Sequence, residues 1–137
     1  RLDTMQAAIL LPKLEIFAEE IELRNQVATN YTKFLNEAGI KTTPHVDAHN
    51  TSAWAQYTIR VESRVQVQQK LKEKGIPTAV HYPIPLNKQP AVANEQMHLL
   101  VGDEVAKKVM SLPMHPYMSV CDQLKVVQAL SCNPPEK

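Results

Sequence analysis

His81 and Tyr82 stand side by side where GIPTAVHYPIPLNKQPA passes from an apolar run into a proline-rich one. An imidazole next to a phenol can hold a phosphate or a sugar hydroxyl: the imidazole donates from a ring N–H, and the phenol donates or accepts. Pro83, Pro85 and Pro90 constrain the backbone that follows. The pair also has a plain structural use, with the histidine bonded inside its loop and the tyrosine packed on a sheet. The residues alone favour that use. Arg1 precedes a helix start, where a planar guanidinium can grip a diphosphate or a carboxylate. It competes with the reading of a frayed first residue. Asp3 suits a helix N-terminus.

Other chemistry-bearing side chains lack partners. His115, in SLPMHPY, has no neighbouring Asp, Cys or second His in sequence and reads as structural. His45 and His49 are four apart, a metal-binding spacing only on a helix, and Pro44 argues for a loop; no metal site is expected. His98 reads as an exposed helix residue. Trp54, Gln56 and Tyr57 could line a pocket, although core packing is the favoured role. No lysine lies in an apolar run that would lower its pKa for covalent work, and Lys70, Lys72 and Lys74 decorate a solvated helix face. No Ser-His-Asp set follows from spacing. No catalytic residue is therefore assigned within this chain. Cys121 and Cys132 lack CxxC spacing and read as ordinary helix residues of a reduced protein. Three glycines in the whole chain exclude a glycine-rich phosphate loop.

The elements that must carry these residues follow from periodicity. From Asp3 to Ala38 the pattern is helical, with Leu14, Phe17, Ile21, Ala28, Tyr31, Leu35 and Ala38 on one face and Arg24 interrupting it. Pro12 predicts a bend or restart, and Gly39 a stop. Thr42 to Ser52 reads as a loop or short edge strand. Trp54 to Val61 alternates as a strand, with Tyr57, Ile59 and Val61 on one side and Gln56, Thr58 and Arg60 on the other. Ser63 and Gln66 form a capping-box pattern for a helix that Gly75 ends. Ile76 to His81 reads as a second strand, and its Pro77 argues for an edge position or a strand start. A short helix over Asp103–Lys108, a strand over Val109–Leu112 and a last helix opened by Ser119 and Asp122 complete the order. Val120, Leu124, Val127 and Leu130 are its predicted core face. The sum is an α/β domain: helices on a small, mostly antiparallel sheet, preceded by a long helix.

Size and charge bound the rest. At 137 residues the chain is one domain. Fifteen basic against 14 acidic residues leave a net charge of +1. Together with 5% aromatic content this excludes a nucleic-acid binder. No apolar run reaches the roughly 20 residues of a membrane span, and no signal-peptide pattern is visible, so a cytoplasmic location is expected.

Taken in order, RLDTMQAAILLPKL, ELRNQVATNY, WAQYTIRV, GIPTAVHYP and SLPMHP resemble the C-terminal part of the DegT/StrS aminotransferases, over essentially the whole chain. The resemblance implies the small C-terminal domain, residues 1–137, of the aspartate-aminotransferase-like fold, with the large N-terminal pyridoxal-phosphate domain absent. It implies a homodimeric parent enzyme that moves an amino group, with glutamate as a suitable donor, to a keto sugar. That sugar would be carried on UDP or dTDP, for surface polysaccharide. His81 and Tyr82 match the family's His-Tyr pair, which contacts the substrate's diphosphate across the dimer. Arg1 matches the arginine of an Asn-x-Arg motif whose asparagine would lie upstream. These three are the substrate-binding candidates. The family's cofactor lysine belongs to the N-terminal domain, so the isolated chain is expected to hold no cofactor and not to transaminate. The competing reading is a non-enzymatic module, derived from such a domain, that oligomerises or binds a partner.

Overall fold

The computed structural model describes residues 3–93 and 99–131. Arg1, His98 and Cys132 lie outside the described residues.

Helix α1 (Thr4–Glu15) begins where the Asp3 carboxylate accepts the Met5 N–H at 2.8 Å. Pro12 inside it has no N–H to give the preceding turn. The helix closes at Ile16 (φ −101°, ψ 0°), and α2 (Phe17–Glu37) starts at the next residue. Only α2 enters the core, through Val27, Ala28, Tyr31 and Leu35. The predicted stripe is wrong at its ends: Leu14, Phe17 and Ala38 are exposed. α1 buries nothing at all. The interrupting Arg24 is used, its guanidinium donating to the Trp54 carbonyl at 3.3 Å.

Two helices end by the same device. After α2, Gly39 takes φ +81°, its N–H bonds to Asn36 O (3.0 Å), and the Ile40 N–H reaches back to Leu35 O (2.8 Å). After α3 (Arg64–Glu73), Gly75 takes φ +72°, bonds to Lys72 O (2.9 Å), and Ile76 reaches Leu71 O (2.9 Å). Both are Schellman caps, and each places an isoleucine against the core just past the glycine. The helix after Ser63 exists, but the capping box does not. Ser63 itself is left-handed (φ +48°) and its hydroxyl caps nothing. Arg64 anchors the helix start instead, donating to the carbonyls of Ala106 and Val109.

The sheet is small. β1 (Tyr57–Arg60) pairs antiparallel with β2 (Val109–Leu112), Tyr57 opposite Leu112 and Ile59 opposite Met110. The predicted strand over Ile76–His81 reduces to one bridge, Ala79 opposite Ser111. Pro77 lacks the N–H a longer ladder needs, and Pro83 lies just beyond. A 3-10 turn over Leu86–Lys88 follows, then α4 (Leu100–Lys108), three residues longer at its start than expected.

The final helix α5 (Val120–Ser131) opens on Ser119, whose Oγ accepts the Asp122 N–H (3.1 Å) and donates to the Asp122 carboxylate (2.7 Å). Its buried face is Gln123, Val126, Val127, Ala129 and Leu130, whereas the predicted core residues Val120 and Leu124 are 50% and 38% exposed. The helix is turned because Gln123 is used inside. Fully buried, Gln123 donates to Val27 O at 2.7 Å and accepts from Asn30 at 3.4 Å, which ties α5 to α2. Tyr31, Leu35, Tyr57, Ile59, Leu71 and Met110 fill the space between these helices and the sheet. No helix among the described residues is long and apolar enough to cross a membrane.

Candidate functional site

The face of the sheet turned away from the core carries a row of polar groups. In β1, Tyr57 and Ile59 point inward, so alternation turns Thr58 outward. In the register, Thr58 faces Ser111, and their hydroxyls are 2.9 Å apart. Ser111 in turn pairs with Ala79, through N–H···O bonds of 2.8 and 3.2 Å. Two residues past Ala79 the chain comes back to the same face, and the His81 Nδ1 lies 3.2 Å from Ser111 Oγ. Thr58, Ser111 and His81 thus form a line across the three paired segments.

His81 is half-buried and Tyr82 is 72% exposed. Their rings meet edge to face, centroids 5.7 Å apart at 87°. The imidazole Nε2 has no hydrogen-bond partner among the described residues. Beside the pair lies an open groove of about 260 Å³, lined by Gln56, Thr78, His81, Ser111 and Met114 among others, none of its lining residues acidic. An anchored imidazole, an exposed phenol and no competing carboxylate make a place that can receive an oxyanion. Larger grooves of about 650 and 690 Å³ flank the Gly75–Pro77 turn. Neither includes His81 or Tyr82, so volume alone does not locate the site.

The other sequence candidates separate cleanly. Gln56 lines the groove with His81. Tyr57 is buried in the core, hydrogen-bonded to Thr32 at 2.7 Å, and Trp54 stacks on it at 5.5 Å while donating from Nε1 to Asn25 (3.0 Å). His115 is exposed on its loop, and its carbonyl accepts from Met118 N–H. His45 pairs with Asp47 at 3.1 Å on the surface. No group of three or more potential metal ligands occurs among the described residues. Cys121 is an exposed free thiol on α5. Sequence reasoning missed Ser111 and Gln123. The first had a visible signal, a lone hydroxyl inside the apolar run VMSL. A glutamine three residues inside an amphipathic helix has none.

Residues 1–131 match the family described as DegT/DnrJ/EryC1/StrS aminotransferases. The chain is 58% identical, over 97% of its length, to the UDP-2-acetamido-2-deoxy-3-oxo-D-glucuronate aminotransferase of Pseudomonas aeruginosa. It is 33% identical, over 96%, to the dTDP-3-amino-3,6-dideoxy-alpha-D-galactopyranose transaminase of Aneurinibacillus thermoaerophilus. It spans 36% of the length of each. A crystal structure of a DegT DnrJ EryC1 StrS aminotransferase from Brucella abortus superposes with a TM-score of 0.85 at 39% identity. That match covers 95% of this chain and 35% of the other. With the family match spanning residues 1–131 and the fold superposing on that of a member over 95% of the chain, the chain belongs to the DegT/DnrJ/EryC1/StrS aminotransferase family.

Proposed function

We propose that this chain is the C-terminal domain of a nucleotide-sugar aminotransferase and that it supplies the grip on the substrate's diphosphate. The parent enzyme would move an amino group from an amino acid such as glutamate to a keto sugar carried on UDP or dTDP, for surface polysaccharide. The 58% identity to a UDP-sugar aminotransferase favours UDP. The observation that carries the reading is the His81–Tyr82 pair. It sits on the outer face of the sheet, its imidazole anchored through Nδ1, beside a groove without acidic lining. His81 donates from Nε2 to a phosphate oxygen, and the Tyr82 hydroxyl donates to a second oxygen. Arg1, outside the described residues, is proposed as a further diphosphate ligand.

Aminotransferases of this family depend on pyridoxal phosphate, and the related NtdA of Bacillus subtilis was crystallised with cofactor PMP bound. The described residues here do not fit that group. A cofactor lysine must be shielded and free to react. Every described lysine is exposed except the half-buried Lys108, which pairs with Glu62 at 2.8 Å. No step of the chemistry is therefore placed on this chain. α1 supports the same reading. Met5, Ile9, Leu11 and Leu14 are each at least 60% exposed on a helix that buries nothing. The remainder of a larger homodimeric protein would cover such a surface.

UDP titrated into the isotope-labelled chain is expected to shift NMR signals at Gln56, His81, Tyr82 and Ser111. His81→Ala should weaken binding by about tenfold, the value of one hydrogen bond to a charged group. Shifts confined to the Gly75–Pro77 grooves would place the ligand elsewhere and sink the assignment. Incubation with pyridoxal phosphate, borohydride reduction and mass spectrometry should yield no site-specific lysine adduct; one stoichiometric adduct would mean that the chain carries its own catalytic centre.

A further inference from the structure

Four polar side chains line the groove beside His81: Gln56, Thr78, Ser111 and His81 itself. The rest of the wall is Ala, Pro, Leu and Met. The Ser111 hydroxyl lies between Thr58 (2.9 Å) and His81 Nδ1 (3.2 Å), and the Thr78 hydroxyl accepts from Gln68 at 3.1 Å. The exposed Gln56 carboxamide has no hydrogen-bond partner among the described residues. Its place is nevertheless fixed from both sides. Trp54, two residues earlier, is left-handed (φ +47°), a costly conformation for a bulky side chain and one that collects at functional sites. Helix α2 holds it there. Arg24 donates to the Trp54 carbonyl at 3.3 Å, and the indole N–H donates to Asn25 Oδ1 at 3.0 Å. The Asn25 amide is oriented in turn by its donation to Ile21 O at 2.9 Å. On the other side, Tyr57 is sealed in the core. Alternation with Tyr57 then turns Gln56 to the outer face, into the groove that holds His81.

We propose that Gln56 is a further substrate-binding residue, whose carboxamide takes an N–H beside a carbonyl on the nucleotide sugar. A carboxamide presents an acceptor oxygen and a donor NH2 along one planar edge. A ligand group with a donor next to an acceptor satisfies both at once. Such a group is uncharged, which suits a wall without carboxylate, lysine or arginine. At about 260 Å³ the groove falls below the usual span for a whole small-molecule ligand, about 300–1,000 Å³. It therefore receives one planar group of the ligand, while the diphosphate stays at His81 and Tyr82. Two parts of a nucleotide sugar present this chemistry: the imide of a uracil or thymine base, and an acylamino substituent on the sugar. This role rests on the diphosphate being held by His81 and Tyr82.

Three probes separate the sources in NMR titrations of the labelled full chain. UDP has a diphosphate and an imide. N-acetylglucosamine 1-phosphate has a phosphate and an acylamino group, and inorganic diphosphate has neither. The readout is the side-chain NH2 pair of Gln56, because its backbone amide moves with anything that enters the groove. UDP or the sugar phosphate is expected to move the pair, whereas inorganic diphosphate should move His81 and leave the pair in place. A response to UDP identifies the base, and a response to the sugar phosphate identifies the acylamino group. Gln56→Met keeps the length of the side chain and removes both hydrogen-bonding atoms. It should weaken the responding probe by about fivefold, the value of one neutral hydrogen bond, and leave inorganic diphosphate unchanged. An NH2 pair that ignores both amide-bearing probes, or that answers equally to diphosphate alone, would overturn this role. Unchanged affinity in Gln56→Met would do the same. If a probe moves His81 and Tyr82 but not the Gln56 pair, the Gln56 role alone fails. If every probe leaves His81 and Tyr82 unmoved, the diphosphate reading fails, together with the Gln56 role built on it.

Discussion

Leu35→Ala is expected to cost about 2–5 kcal/mol, the range for a buried leucine whose site cannot collapse. Leu35 has no exposed surface and lies among Tyr31, Tyr57, Ile59 and Leu130. These side chains come from α2, β1 and α5, three elements that define one another's positions, so no single one can move in to fill the gap. A domain of this size commonly has about 5–15 kcal/mol in total. The variant should therefore unfold at a much lower urea concentration, with an unchanged slope. Leu11→Ala is the comparison. Leu11 is 65% exposed on α1 and should change the midpoint little. If the two variants unfolded together, the core assignment would be wrong.

The second large effect is alkaline. Burial pushes the phenols of Tyr31 and Tyr57 above their ordinary value of 10.0; for Tyr57 the hydrogen bond with Thr32 works against the rise. Their rings are 5.1 Å apart, and neither has exposed surface. The folded chain keeps both protons at a pH where the unfolded chain has released them. Above pH 10 the unfolded state therefore binds fewer protons, and stability falls as pH rises. The stabilisation is complete below pH 10 and is lost toward the folded-state values. Each phenol contributes a slope approaching about 1.4 kcal/mol per pH unit. Phenolate absorbance and near-ultraviolet circular dichroism should show two tyrosines ionising only as tertiary structure disappears. Replacing both Tyr31 and Tyr57 by Phe should flatten that pH dependence. Reversible ionisation of all four tyrosines in the folded chain would contradict the account.

The parts of the fold that sequence reveals are those governed by one local rule. Gly39 and Gly75 end helices because glycine takes a positive φ without the steric cost of a Cβ, and both caps are present. Pro12 predicts a break, and the chain breaks one turn later at Ile16. The alternation of Tyr57, Thr58, Ile59 and Arg60 gives the right inward face. The errors fall where a distant partner decides. Gln123 turns α5 because the Val27 carbonyl, 96 residues earlier, accepts its proton, and hydropathy counts a glutamine as outside. Ile76–His81 has strand-like residues, yet its pairing depends on which N–H groups β2 leaves available. Leu14 and Phe17 continue an apolar stripe that has nothing to meet among the described residues. For the site, His81 and Tyr82 were legible as a pair with suitable chemistry. The anchor on the imidazole Nδ1 was not, because Ser111 and Thr58 come from strands 53 residues apart.

The join at Ile16 also divides the chain in time. A twelve-residue helix without a buried side chain has only its own hydrogen bonds to hold it, and such helices are marginal in water. Its amides should exchange with solvent at rates close to those of a free peptide, whereas those of α2 around Tyr31 and Leu35 wait for global opening. Two helices in direct succession thus belong to different cooperative units, and a protease acting near Lys13 would meet an open chain while the rest of the domain remains closed.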